Sequence, residues 1–282
     1  MKKILPKLLG YYVNVLSRLL PRTAARHAFF IWCYPFSSAL KPHHKQFLDS
    51  SEKFSFYHDG IYIQGYKWGR GNKKLLFLHG WQSHSFRWKS YIEALSPEEF
   101  TIYAIDAPGH GASGGKTLNV PLYGEVIKQL VNSLGQLGAV VSHSMGSFSI
   151  LYALHTSTTL AVEKVVIMAS PGKGRDFINS FRYALKLSDR SVNLLLDYFI
   201  VKFGKPIDFF STPDFAATIT VPGLIVHDEG DRETPYKYAV QIHQAWANSK
   251  LITTTGLDHN LKSPLVVQEV CNFIADKVLQ KN

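Results

Sequence analysis

The chain's 282 residues are enough for one large α/β domain or two small ones, and a hydrophobic share of 46% against 18% charged excludes a disordered chain. The net charge of +10 is concentrated at one end: residues 1–74 hold 13 Lys/Arg against 3 Asp/Glu, and residues 75–282 hold 18 of each. No basic patch with interleaved aromatics appears in the body, so no nucleic-acid partner is expected; Cys33 and Cys271 have the spacing of neither a metal site nor a disulfide framework, so no metal or cofactor is expected and a reducing, cytoplasmic setting is the simpler reading.

From Leu5 to Leu20 apolar residues recur at three- and four-residue steps, with Lys7, Asn14 and Arg18 on the other side. That spacing predicts an amphipathic helix ending before Pro21. Thr23 is placed to cap a second short helix running to Trp32 and stopped by Pro35. The first helix is too interrupted by charge to span a bilayer, and no clean apolar run leads to a cleavage site as in a secretory signal. An acid-free, arginine-bearing start also resembles an organelle transit peptide. Two accounts of the basic helical extension, residues 1–48, stay open. Its helices pack on the body, or residues 1–20, with Lys2, Lys3, Lys7 and Arg18, make a peripheral contact with an anionic membrane.

Residues 54–58 and 61–68 read as a β-hairpin around a tight Asp59-Gly60 turn. Leu75 to Leu78 is a buried strand ending in His79-Gly80-Trp81; a helix over 86–95 and a strand over 101–105 follow. The turn-rich Asp106–Ser113 loop leads to a helix over 121–134 and to the strand before Ser144. Strands alternating with helices imply a mostly parallel sheet covered on both faces, an α/β fold. The strand over 164–169 is the last before the alternation breaks, and residues 173–215 hold only helix-like stretches, over 177–187 and 192–203. The rhythm resumes with a strand over 222–227, a helix over 236–246, a strand over 251–254 and a helix over 264–279.

The most informative stretch is Val140-Val141-Ser142-His143-Ser144-Met145-Gly146, a short apolar run opening into a helix start. A serine on such a strand-to-helix turn is held in a strained backbone with its hydroxyl clear of the sheet, and bulky residues at positions 142 and 146 would collide across the bend. The Met145 N–H, in the first turn of the helix, then points where an oxyanion would form. The Trp81 N–H, just past an earlier strand, can face it as a second donor. Asp231 lies in the loop after the 222–227 strand, and His259 lies just beyond the next one. A serine hydroxyl is a weak nucleophile until an imidazole takes its proton, and the imidazole needs a carboxylate at its other nitrogen.

His-Gly-Trp at 79–81, Asp-Ala-Pro-Gly-His-Gly-Ala-Ser at 106–113, Ser-His-Ser-Met-Gly at 142–146, the Asp231 loop with Pro235 and Gly-Leu-Asp-His at 256–259 occur in one order. Together they resemble the motifs of the α/β-hydrolase fold, over about residues 53–279. The resemblance implies Ser144 as nucleophile, His259 as base, Asp231 as orienting acid, and the Trp81 and Met145 backbone N–H groups as the oxyanion hole. It implies a helical cap at about residues 173–215, inserted in a hydrolase domain spanning 49–282. The expected activity is hydrolysis of a carboxylic ester of a small molecule, through an acyl-enzyme. The aromatics of the cap suggest an apolar acyl or aromatic group in that substrate. Thioesters, amides, peptides and carbon–carbon bonds are open to the same triad, and a catalytically silent binding protein is the contrasting class. Ser142 departs from the usual glycine two residues before the nucleophile, and Asp228 from a glycine that often follows the strand's histidine. Asp228 and Glu233 are rivals to Asp231, which lies four residues after His227 and four before Pro235, as in the family. His79, His110 and His143 read as framework residues.

Overall fold

The structure, a computed structural model, describes residues 4–36 and 39–276. Lys2 and Lys3, and the end of the helix expected to reach Leu279, lie outside the described residues. In chain order the elements begin with three helices, α1 (Ile4–Leu19), α2 (Pro21–Cys33) and α3 (Pro42–Leu48), and the strands β1 (Glu52–His58), β2 (Ile61–Trp68) and β3 (Lys73–Leu78). There follow α4 (Lys89–Ala94), β4 (Phe100–Ile105), α5 (Val120–Leu134), β5 (Ala139–His143), α6 (Met145–His155) and β6 (Val165–Met168). Helices α7 (Gly174–Leu185), α8 (Asp189–Phe203) and α9 (Thr212–Ala216) precede β7 (Gly223–Asp228), α10 (Lys237–Ala245), β8 (Ser249–Thr254) and α11 (Pro264–Ile274).

Contacts divide the chain into two compact units, one of residues 1–34 with 173–211, the other of residues 35–172 with 212–282. The second unit holds an eight-stranded sheet in the order β1-β2-β4-β3-β5-β6-β7-β8. The β1–β2 and β2–β4 pairs are antiparallel and the rest parallel. The β1–β2 turn uses Asp59 at φ +45° and Gly60 at φ +76°, the two positive values a tight hairpin turn needs. The central strands are buried on both sides, which is why they read as unbroken apolar runs. On one face Phe77, Val141, Val166 and Val226 pack with Tyr91 and Ile92 of α4 and Val266 and Val270 of α11. Helices α5, α6, α9 and α10 pack successively on one another. Before α4 the chain makes a 3-10 turn over Ser85–Trp88, where the sequence predicts one continuous helix.

In the first unit α1 and α2 pack with α7 and α8. Of the segment expected as an N-terminal extension, residues 1–48, the part that holds α1 and α2 thus shares its core with the helices of the 173–211 interval, whereas α3 falls in the sheet unit, with Phe47 against its core. That core is aromatic: Phe29 stands 6.4 Å from Phe199 and 5.9 Å from Phe203, Trp32 is 5.9 Å from Phe199, and Phe199 is 5.2 Å from Phe210, ring centre to ring centre. Edge and tilted contacts at these distances are the favoured arrangements of aromatic pairs. The face of α1 turned to α7 and α8 is small and polar. Gly10, Val13 and Ser17 are buried there, and a Cβ at Gly10 would overlap the Leu185 carbonyl. Asn14 accepts from Ser188 N at 2.9 Å and from Ser191 Oγ at 2.8 Å, and donates to Lys186 O at 3.0 Å. Arg190 Nε donates to Ser17 O at 2.8 Å. The leucine stripe of the sequence therefore faces away from this seam. Thr23 is not a cap: α2 starts at Pro21, whose fixed φ suits the first helical position, so Thr23 falls inside the first turn.

Candidate active site

The buried run of β5 ends at His143, α6 begins at Met145, and Ser144 joins them at φ +51° and ψ −118°. A serine in that region costs about 1–3 kcal/mol, so the surroundings must over-determine it. Ser144 N donates to Met168 O at 2.9 Å, and Ser144 O accepts from Phe148 N at 3.1 Å. A Cβ on Gly146 would lie 2.5 Å from Leu78 O, and one on Gly80 would lie 2.8 Å from Ser144 Cβ. The end of β3 therefore passes against the turn so closely that both positions must lack a side chain. Position 142 does not: the Ser142 hydroxyl donates to Val166 O at 2.9 Å and lies 3.1 Å from Ser147 Oγ. The departure from glycine there is filled by a satisfied buried hydroxyl.

Asp231 follows β7, and its side chain is fully buried. Its Oδ2 accepts from His259 Nδ1 at 2.8 Å and from Thr234 Oγ1 at 2.7 Å, with His227 Nε2 at 3.3 Å. Its Oδ1 accepts the backbone N–H groups of Glu233 and Thr234 at 2.8 and 2.9 Å. Burial pushes this carboxyl up, but the hydrogen bonds from His227, His259 and Thr234 outweigh it and hold it far below the usual carboxylate range. Asp228, the rival, is spent elsewhere: it accepts from Gly230 N, Thr254 Oγ1 and Leu257 N, all at 2.9 Å. Glu233, the other rival, is exposed and stands 3.8 Å from His259 Nε2. With Nδ1–H given to Asp231, His259 keeps Nε2 as an acceptor for a proton.

His143 donates from Nε2 to His259 O at 2.8 Å, and the two rings stand 4.9 Å apart. The residue next to the serine thereby anchors the loop that carries His259. Burial, with Arg87 and His259 nearby, holds His143 neutral far below the ordinary histidine value. Among the described residues no hydrogen bond joins Ser144 Oγ to His259; His143 is the link between their loops.

Two more neutral histidines fix the 80–82 backbone. His79 donates from Nδ1 to Gly80 O at 2.7 Å and accepts Ala107 N at Nε2, 2.9 Å away. His110 donates from Nδ1 to Pro108 O at 2.9 Å and accepts Gln82 N at Nε2, 3.0 Å away. Burial lowers the pKa of both, strongly for His79. These bonds set the path of Trp81, whose N–H is the expected partner of the Met145 N–H, a donor in the first turn of α6. Asp106 steadies the adjoining loop by accepting from Ser85 N, Ser85 Oγ and Ala112 N. Thr234 and His227, which complete the shell of Asp231, were not singled out from the sequence. The available signal was a threonine three residues past an acid and a histidine four before it. Among the described residues no cluster of three His, Cys, Asp or Glu side chains is arranged to hold a metal ion.

Comparison with known proteins bears on this arrangement. A pimeloyl-[acyl-carrier protein] methyl ester esterase of Edwardsiella ictaluri (strain 93-146) is 41% identical over 49 residues, 17% of this chain and 19% of that protein. Matches to the first curated relatives span between 15% and 61% of their lengths. Est1E from Butyrivibrio proteoclasticus, with ferulic acid bound, superposes with a TM-score of 0.63 at 20% identity, over 80% of this chain and 100% of that one. A membrane phospholipase A described as a novel bacterial virulence factor gives 0.62 at 15% identity, over 98% of each chain. At those identities the likeness is one of fold. A model described as TAP-like protein matches residues 210–281, which include Asp231 and His259. The alpha/beta hydrolase family model matches residues 75–218, from β3 through the Ser144 turn to α9, and to that family the chain belongs.

Proposed function

We propose that the protein hydrolyses carboxylic esters of small molecules, with Ser144 as nucleophile, His259 as base and Asp231 as orienting acid. The observation that carries this reading is the 2.8 Å bond from His259 Nδ1 to a buried, ionised Asp231, in a chain that strains Ser144 onto the turn between β5 and α6. Ser144 Oγ attacks the ester carbonyl while His259 Nε2 takes its proton, and the charge on the carbonyl oxygen is met by the N–H groups of Trp81 and Met145. Each such donor is worth on the order of 3 kcal/mol. As the tetrahedral intermediate collapses, the bond to the alkoxy oxygen breaks and His259 returns the proton to it, releasing an alcohol and leaving an acyl-Ser144 ester. Water, deprotonated by the same Nε2, adds to that ester; as the bond to Ser144 Oγ breaks, His259 returns the proton to Oγ and the acid leaves. Asp231 keeps Nδ1 as the donor nitrogen throughout and stabilises the imidazolium.

Curated relatives named as methyl ester esterases support an ester as the bond cleaved, and the ferulic acid held by Est1E supports an apolar or aromatic acyl group. The test is a hydrolysis screen of p-nitrophenyl esters from acetate to laurate, with thioesters and anilides beside them, joined to fluorophosphonate labelling. Ester turnover with a burst of p-nitrophenol and label on Ser144 is expected. Preference for the thioesters would move the substrate class. A folded protein that takes no label would place the chain among non-catalytic binding proteins of this fold.

A further inference from the structure

Helix α1 is turned the wrong way round for a surface helix. The residues on its packed side are Gly10, Val13, Asn14 and Ser17, held by the hydrogen bonds to α8 and its preceding turn. On the opposite side Leu5 is 53% exposed, Leu8 60%, Tyr11 72% and Leu19 71%, with Tyr12 and Val15 exposed beside them. At 100° per residue these six fall within an arc of about 120°, centred opposite the packed side. An ordinary surface helix shows charge there. The polar seam leaves no freedom to roll the apolar arc inward, because Gly10 seats directly against the Leu185 carbonyl.

Charge decides what such a face suits. Neither α1 nor α2 contains an acidic residue, and Lys7, Arg18, Arg22 and Arg26 are exposed on them. Lys7 lies at one edge of the apolar arc. There a groove of about 1030 Å³ between the start of α1 and the end of α7 is lined by Pro6, Lys7, Asn179, Arg182, Tyr183 and Lys186, among others. Arg182 is paired with Asp189 at 2.6 Å, whereas Lys7 and Lys186 have no carboxylate partner among the described residues. Tyr183, at 88% exposure, stands at the same rim. Two unpaired ammonium groups in a groove beside an outward apolar strip match the order of groups in an anionic phospholipid: phosphate, then acyl chain. No helix among the described residues is long and apolar enough to cross a membrane, so the match is to lying on the surface.

We propose that this unit docks on an anionic phospholipid surface through the outer face of α1, with a lipid phosphate held between Lys7 and Lys186. The apolar side chains enter the headgroup boundary, while the polar seam keeps α1 fixed to α7 and α8. The proposal is independent of the ester reading.

Flotation of the full chain with vesicles of phosphatidylcholine containing 30 mol% phosphatidylglycerol tests it, alongside pure phosphatidylcholine vesicles. Binding to the anionic vesicles, at least tenfold weaker to the neutral ones and weakened by 0.5 M salt, is expected. Removing one basic residue should cost roughly fivefold in partitioning, so Lys7→Gln/Lys186→Gln should cost about 25-fold. Leu5→Ser/Leu8→Ser/Leu19→Ser should abolish binding with melting temperature retained. A single Leu8→Ser variant, with partial loss, serves if the triple one misfolds. Wild-type protein that ignores the anionic vesicles overturns the proposal, as does a serine variant that binds undiminished. A wild-type dimer in sedimentation that the same serines dissolve, without vesicle binding, assigns the face to a second copy. Binding that inorganic phosphate displaces and the leucines do not affect reduces the site to a phosphate site.

Discussion

Helices α1 and α5 look alike in sequence and are used in opposite ways. Both run for about four turns with apolar residues at three- and four-residue steps. In α5 the apolar side is buried, with Tyr123, Val126, Ile127, Leu130 and Val131 inside and Glu125, Gln129, Asn132 and Ser133 outside. In α1 a glycine, a valine, an asparagine and a serine go toward the protein, and Leu5, Leu8 and Leu19 go toward solvent. Periodicity fixes that a segment is helical and amphipathic; it leaves open whether the apolar side meets this chain or something else. The difference extends to the units. The sheet unit spends its strain and its buried hydrogen bonds on the Ser144, Asp231 and His259 loops, while the helical unit spends its polar seam on presenting a surface.

If that division is right, changes in the sheet unit alter chemistry and leave docking intact. The largest effect is expected from Ser144→Ala, which should lower ester hydrolysis by ~10⁴-fold or more. Melting temperature and vesicle flotation should not change, since alanine keeps the same backbone demand. Retained activity would overturn the site assignment. Asp231→Asn comes next, with a fall of ~10³–10⁴-fold in kcat, because the amide favours the wrong imidazole tautomer. Asp228→Asn should cost stability instead, and the reverse pattern would exchange the roles of the two acids.

Gly10→Ala probes the helical unit. Forcing a Cβ into the Leu185 carbonyl should destabilise by ~1–3 kcal/mol, read as a loss of melting temperature, with turnover of a soluble ester unchanged. A fall in turnover equal to that of Asp231→Asn would deny the separation of the units.

Acid should weaken the sheet unit in a defined window. Burial lowers the pKa of His79, His84, His110 and His143 from the ordinary 6.5, so the unfolded chain takes up protons that the folded chain refuses. Their contribution to stability is full above pH 6.5 and declines as pH falls below it. Urea midpoints between pH 7.5 and 5 should therefore drop, and His79→Gln should flatten the slope while lowering the midpoint at pH 7.5. A slope unchanged in that variant would remove His79 from the account.

The smallest effect is expected at Ser142, two residues before the turn serine. Ser142→Gly should lose ~1 kcal/mol through the bond to Val166 O and the freer glycine backbone, with kcat/KM within about threefold of the wild type. A large kinetic change would mean that the Ser142 hydroxyl shapes the turn at Ser144 as well as filling space beside it.

In outline the sheet unit can be read from the residues alone. Its parallel strands are buried on both faces and so appear as apolar runs, and its turns demand particular residues, such as Asp59-Gly60 and Gly146, that can be read one at a time. The order of Ser144, Asp231 and His259 was legible for the same reason, since each lies just past a recognisable strand end. The rest depends on contacts between segments far apart in the chain. That Asp231 and not Asp228 meets His259 depends on which way two neighbouring side chains leave one loop, and Thr234 and His227 join through contacts that no spacing announces. The partner of α1 was likewise hidden: Asn14 finds its hydrogen bonds some 175 residues away on the approach to α8, and those bonds, with the close seat of Gly10 on Leu185, turn Leu5, Leu8 and Leu19 outward. Local patterns record what a segment must become, whereas pairings across long stretches of chain are set by the fold that brings them together.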